Sequence, residues 1–300
     1  MAFIKRITLF LLLNLLVVFV ISIVLNLLNV QPFLQAHGLD YYSLMTFCFV
    51  WGMGGALISL ALSRIMAKWM MGVRVIDPHT KESQECKLLE MVQTLAQGAK
   101  LSSMPEVGIF SSKEPNAFAT GPTQSRSLVA VSTGLLERMS PGDLRGVLGH
   151  EISHIANGDM VTMTLLQGVV NAFVMFLARV FAYALSGLGR DRERGSYGSF
   201  ILFTYLFQFV FMILGSLLLC AYSRFREFRA DAGGAKLAGR DHMIGALKTL
   251  QSLQAIHDPK ADNPAMAAFK ISHPSKRGFI RLFATHPPLE ERIERLSKTH

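Results

Sequence analysis

The sequence predicts a mostly helical α+β protein integral to a membrane, with a small sheet and four apolar membrane-spanning helices. Three observations predict it. Apolar residues make up 51% of the chain and charged residues only 17%, and the mean hydropathy is +0.35; this is too apolar for an ordinary soluble domain. Four apolar runs are each long enough to cross a bilayer as a helix. Between them lie stretches with the periodicities of amphipathic helices and short strands.

The first run, Ile7 to Leu28, is about 22 residues without a charge and follows Lys5 and Arg6. It is too long for the core of a cleaved signal peptide, and Val30-Gln31-Pro32 stands where a small-residue cleavage site would be, so a retained anchor is expected. Tyr41 and Tyr42 sit where an interfacial aromatic belt is expected. The second run is Ser43 to Ser63, with Gly52, Gly54 and Gly55 allowing close helix contact. Arg64, Lys68 and Arg74 follow it, which puts the N-terminus and the segment after Arg64 on the cytoplasmic side. Lys81 to Leu101 reads as an amphipathic helix with Leu88, Leu89, Val92, Leu95 and Ala96 on one side.

Two strands are predicted next, at Val107 to Phe110 and at Ser127 to Thr133. Between them Asn116, Ala117, Phe118 and Ala119, bounded by Pro115 and Pro122, read as an exposed strand edge or as a plain hairpin arm. An edge of that kind accepts an extended peptide through backbone hydrogen bonds. Ser140 is then a helix N-cap, with Pro141 at the first position and Asp143 in the first turn. Leu144, Val147, Leu148, Ile152 and Ile155 give this helix a buried side.

The same helix carries His150-Glu151-Ile152-Ser153-His154. Histidines four apart project from one face, a turn from each other, which suits two ligands of one tetrahedral zinc. Glu151 reaches the open side as a base for the attacking water. This is the pattern of a zinc peptidase. With nine histidines in the chain, a chance match is on the order of one in a hundred, so a third ligand must be found. Two histidines on a helix surface are the alternative.

The third and fourth apolar runs are Val161 to Leu185 and Phe200 to Tyr222. The loop between them holds Arg190, Arg192 and Arg194 on the side expected to be outside; either Asp191 and Glu193 offset that charge or the hairpin does not fully cross. The fourth run passes into a helical stretch where Glu227 and Asp231 share a face. They read either as two solvated acids of a basic helix or as the third metal ligand and an acceptor holding a ligand histidine. Two crossings between His154 and Glu227 return the chain to the side it left, which supports the second reading. Gly233-Gly234 is expected to break the helix. Met243 to Leu253 reads as an amphipathic helix, His257 to Gly278 as a long loop or flap, and Leu289, Ile293 and Leu296 as the inner side of a last charged helix after Pro287-Pro288.

The net charge of +9 raises nucleic acid as a partner, but the bases cluster beside apolar runs and no nucleic-acid motif is present, so a lipid bilayer is the partner expected. Cys48, Cys86 and Cys220 form neither a zinc-type pair nor a disulfide framework. The apolar runs carry no paired ionisable residues in their middles, only the amides Asn14, Asn26, Asn171 and Gln208, which argues against an ion transporter. Asp143, Arg145 and Asn157 around the zinc motif argue against cleavage within the bilayer. Four segments are expected: a membrane hairpin (1–66), a cytoplasmic part with edge strand and zinc helix (67–160), a second hairpin (161–222) and a cytoplasmic part with the third ligand (223–300).

Asn116 to Gly121, the His150 to His154 motif, Glu227 with Asp231, and Thr285-His286-Pro287-Pro288 with Arg292 together resemble the HtpX family. These are bacterial heat-shock-linked membrane zinc proteases related to the CaaX-prenyl-protein endopeptidases. The resemblance runs over nearly the whole chain. It implies a gluzincin-type fold and one Zn2+ per chain held by His150, His154 and Glu227, with Glu151 as base. It also implies His286 and Arg292 lining the active site, and quality control of damaged inner-membrane proteins with the site facing the cytoplasm.

Overall fold

Two units of chain carry the structure, Met1–Ile58 with Thr162–Leu219, and Ser59–Val161 with Cys220–His300. The structure, a computed structural model, describes residues 40–186, 197–253 and 278–298. The predicted first span, the arginine loop at 187–196 and most of the predicted flap lie outside these residues.

Among the described residues three helices are long and apolar enough to cross a membrane. Helix α1 is Tyr41–Met71, 31 residues. The second and third such helices are Asp159–Ser186, 28 residues, and Tyr197–Ala238, 42 residues. All exceed the about 20 residues that a bilayer core requires. In the first unit α1 meets Asp159–Ser186 closely at one point. A Cβ on Gly52 would lie 2.5 Å from the backbone nitrogen of Ala172. Gly54 and Gly55, expected to do the same, face no atom among the described residues. Tyr41 is buried against Phe176, edge-on at 5.2 Å, while Tyr42 is exposed. Phe47, Val50 and Trp51 of α1 and Leu202, Tyr205 and Phe209 further along are exposed, a surface that suits lipid. Arg179 is an ionisable residue within an apolar run. It donates to its own helix at Met175 O (2.9 Å) and lies over the Phe47 ring.

The second unit holds the sheet. Its strands are β1 (Arg74–Val75), β2 (Glu106–Phe110), β3 (Ala117–Thr123) and β4 (Arg126–Ser132), in the order β1-β2-β4-β3. β2 and β4 are parallel; the other pairs are antiparallel. β3 is therefore a terminal strand. Its side chains are largely covered: Asn116, Ala117 and Phe118 are buried and Ala119 half-buried. Both faces of the strand are covered. Ala117 packs in the main core, while Phe118, pointing the other way, packs with Met71, Val73, Phe110 and Leu128. Among the described strands β3 is the last of the sheet. Pro122 is tolerated because β3 is both an edge and bulged between Thr120 and Thr123. Gly121 at that bulge has φ 142, and a Cβ there would sit 2.2 Å from Arg126 O.

The other helices, in chain order, are α2 (Ser83–Gly98), α3 (Thr133–Arg138), α4 (Pro141–Asn157), the long helices α5 (Asp159–Ser186) and α6 (Tyr197–Ala238), α7 (Arg240–Leu253) and α8 (Leu289–Lys298). α4 begins and ends where its capping residues predict. Ser140 accepts from Asp143 N at 3.2 Å, and Gly158 closes the helix in the left-handed conformation, φ 63. Val147, Leu148, Ile152 and Ile155 of α4 join Leu88, Val92 and Leu95 of α2, Val129 and Val131 of β4, and Met243, Leu247 and Leu250 of α7 in one core. Each such side chain, fully buried, contributes about 1.5–3 kcal/mol.

The predicted break at Gly233-Gly234 does not occur. α6 runs through both glycines to Ala238 and turns only at Gly239, φ 102. The pair serves packing. A Cβ on Gly233 would lie 2.6 Å from Ser153 Oγ, and one on Gly234 would lie 2.9 Å from His150 N. Without side chains there, α6 rests on the backbone of α4. Gly234→Ala should therefore cost about 1–3 kcal/mol, read as a lower unfolding temperature in detergent, and should weaken metal binding. An unchanged unfolding temperature would show that this contact tolerates a Cβ.

Candidate active site

Three elements of the second unit meet at one buried point. α4 presents His150 and His154 one turn apart, with ring centroids 4.6 Å from each other. α6 presents Glu227 and Asp231, and the turn before α8 and α8 itself present His286 and Arg292. His150, Glu151, His154, Glu227, Asp231 and Arg292 are all less than 9% exposed.

The inner atoms converge. His150 Nε2 and His154 Nε2 are 3.1 Å apart. Glu227 Oε2 is 3.4 Å from His150 Nε2, and Glu227 Oε1 is 3.3 Å from His154 Nε2. Around a tetrahedral zinc with bonds of about 2.0–2.1 Å, neighbouring donors stand about 3.3–3.4 Å apart. The three donors are thus already spaced to hold one small cation, and they are a possible metal-ligand group among the described residues.

The outer atoms are held by carboxylates. His150 Nδ1 lies 2.9 Å from Asp231 Oδ1. His154 Nδ1 lies 2.7 Å from Asp159 Oδ2. With Nδ1–H donating to a carboxylate, each ring turns a lone pair on Nε2 toward the site. Arg292 forks onto Asp231, with Nε to Oδ2 at 2.8 Å and Nη2 to Oδ1 at 2.6 Å. Glu227 has further partners of its own: His286 Nδ1 at 2.8 Å from Oε2 and Arg226 Nη2 at 3.3 Å from Oε1.

These contacts set the charge states. Burial works against protonated His150, but the hydrogen bonds to Asp231 and Glu227 outweigh it and push its pKa up to about 9. Burial likewise opposes the charged form of His154, and Glu227 and Asp159 reverse that, raising its pKa. Glu151 is raised chiefly by burial, against the pull of both histidines. A carboxylate more basic than usual is suited to taking up a proton near neutral pH.

Every residue that the sequence singled out in the zinc motif, with Glu227, Asp231, His286 and Arg292, falls within this cluster. The predicted edge strand Asn116 to Ala119 lies in the same unit, at the end of the sheet. Asp159 and its partner Arg229 were missed. The available signal was the Gly158 turn, which ends α4 and returns the chain beside His154 five residues on.

A family model described as Peptidase family M48 matches residues 82–300. The chain belongs to peptidase family M48. It is 50% identical over 291 residues to "Protease HtpX" of Thioalkalivibrio sulfidiphilus, covering 96% of this chain and 97% of that one. It is 50% identical over 301 residues to "Protease HtpX homolog" of Bacillus subtilis, covering 97% and 98%. The crystal structure of S. mikatae Ste24p shares the fold, with a TM-score of 0.56 and 18% identity over 98% of this chain and 67% of that one. This M48 peptidase is a metalloprotease, and its long apolar helices mark it as membrane-associated.

Metal uptake by this peptidase should depend on pH. A ligand imidazole must lose its proton to bind, so protons compete with the ion. Because Asp231 and Glu227 raise the pKa of His150 to about 9, zinc affinity should rise with pH toward that value, by about tenfold per unit for each proton displaced. Chelator competition from pH 6 to pH 9 reads this, and a flat profile contradicts it.

Proposed function

We propose that this M48 peptidase is a zinc-dependent endopeptidase that cuts damaged or misfolded membrane proteins at the cytoplasmic face of the bacterial inner membrane, with Glu151 as general base. The observation that carries the reading is the spacing of His150 Nε2, His154 Nε2 and Glu227 at 3.1–3.4 Å. Two imidazoles and one carboxylate suit zinc, and three protein donors leave a fourth position for chemistry, as in catalytic rather than structural sites. Zinc held there supplies a Lewis acid that lowers the pKa of its water toward about 7.

Glu151 takes the proton of the attacking water and hands it to the leaving amine nitrogen. Its burial supports this, because the raised basicity that suits the role comes from its surroundings. His286, held beside Glu227, is placed to donate to the developing oxyanion. Arg292 is 1% exposed and has Nε and Nη2 on Asp231, so it acts through Asp231 on His150 rather than on substrate. The terminal strand β3, at Asn116 to Ala119, takes the extended substrate by strand addition. The cytoplasmic orientation is supported by Lys5, Arg6, Arg64, Lys68 and Arg74 flanking the first two apolar runs.

Glu151→Ala should retain zinc and lose cleavage of casein or an unfolded membrane protein by at least about 10²-fold; cleavage at the parental rate would remove Glu151 from the mechanism. Glu227→Ala should lose the metal, and unchanged zinc content by mass spectrometry would rule it out as a ligand. A tag near the site should be open to protease from the cytoplasmic side alone; protection on that side reverses the orientation.

A further inference from the structure

His154 is held from both ends. Its Nε2 faces His150 and Glu227, and its Nδ1 meets Asp159 Oδ2 at 2.7 Å. Asp159 is wholly buried, and its second oxygen is ion-paired with Arg229. We propose that Asp159, clamped by Arg229, is the positioning residue for His154: it fixes the ring's tautomer and angle and so sets how tightly the site holds a divalent metal.

The inference deepens the zinc reading and rests on it. An imidazole can present either nitrogen, and a carboxylate on Nδ1 leaves only Nε2 as a donor to the metal. The arrangement also repeats. His150 is backed by Asp231 and then Arg292; His154 is backed by Asp159 and then Arg229. In both arms a guanidinium supplies the counter-charge that a buried carboxylate needs. The arms differ in origin. Asp159 is the first residue of α5 and is delivered by the left-handed turn at Gly158. Arg229 stands on α6 between Glu227 and Asp231. One short stretch of α6 therefore touches all three donors: Glu227 directly, His150 through Asp231, and His154 through Arg229 and Asp159.

The test uses the full chain in detergent, with zinc alone as the probe in chelator competition and cobalt(II) as its visible reporter. Asp159→Ala should weaken zinc binding toward 100-fold, and Asp159→Asn, whose amide oxygen still accepts, by about tenfold. Both should alter the cobalt absorption bands, which a general loss of stability would not do. Arg229→Lys should hold zinc better than Arg229→Ala. Asp143→Ala, which removes the acceptor of the 3.0 Å bond from Thr249 at the far end of the same helix, should bind zinc like the parent. Parental zinc affinity and cobalt bands in Asp159→Asn would overturn the proposal, even where the alanine variant is too unstable to purify. His154→Ala separates the two readings. If it loses zinc while the Asp159 variants do not, only this inference fails; if it keeps zinc, the metal site itself is wrong.

Discussion

Helices α4 and α6 meet backbone to side-chain-free backbone at His150 and Gly234, and the position of each metal donor follows from that contact. A Cβ at Gly234 would stand 2.9 Å from His150 N, closer than packed carbon tolerates. With the glycine in place, the turn of α6 that carries Glu227 and Asp231 lies directly over the turn of α4 that carries the two histidines. The core beneath α4 keeps this geometry from relaxing, because Leu148, Ile152 and Ile155 are fully buried on its opposite side. Packing, capping and the site are one arrangement: the Ser140 cap and the Gly158 turn set where α4 starts and stops, and the second of these also delivers Asp159.

Burying so many charges in one place is costly unless each has a partner. Here partners alternate in sign outward from the centre: carboxylate Glu227 among the imidazoles, carboxylates Asp231 and Asp159 behind them, guanidiniums of Arg292 and Arg229 behind those. Asp231 and Glu227, hydrogen-bonded to His150, favour its charged form and push its pKa up to about 9. A divalent cation held by the same donors would likewise offset the buried carboxylates. Glu151, on the same helix but not among the three donors, is left as the basic group beside them.

Much of this was legible in the sequence because it is written in local pattern. The caps of α4, the four-residue spacing of His150 with His154 and of Glu227 with Asp231, and the apolar periodicity of α2, α4 and α7 each depend on residues a few positions apart. What failed depended on partners far away in sequence. Gly233-Gly234 reads locally as a helix break, and only the approach of α4, some eighty residues earlier, makes it a packing surface. Asp159 reads as the end of one helix and is a partner of His154 only because Gly158 folds it back. Its clamp Arg229 comes from 70 residues further on. β1, two residues long, carries too little pattern to be seen.

The most direct test of the account is X-ray absorption at the zinc edge of the metal-loaded protein. The account predicts a first shell of nitrogen and oxygen only, at about 2.0–2.1 Å, with the multiple scattering of two imidazoles that disappears one ring at a time in His150→Ala and His154→Ala. A sulfur neighbour at about 2.3 Å, or a spectrum unchanged by removal of either histidine, would contradict it.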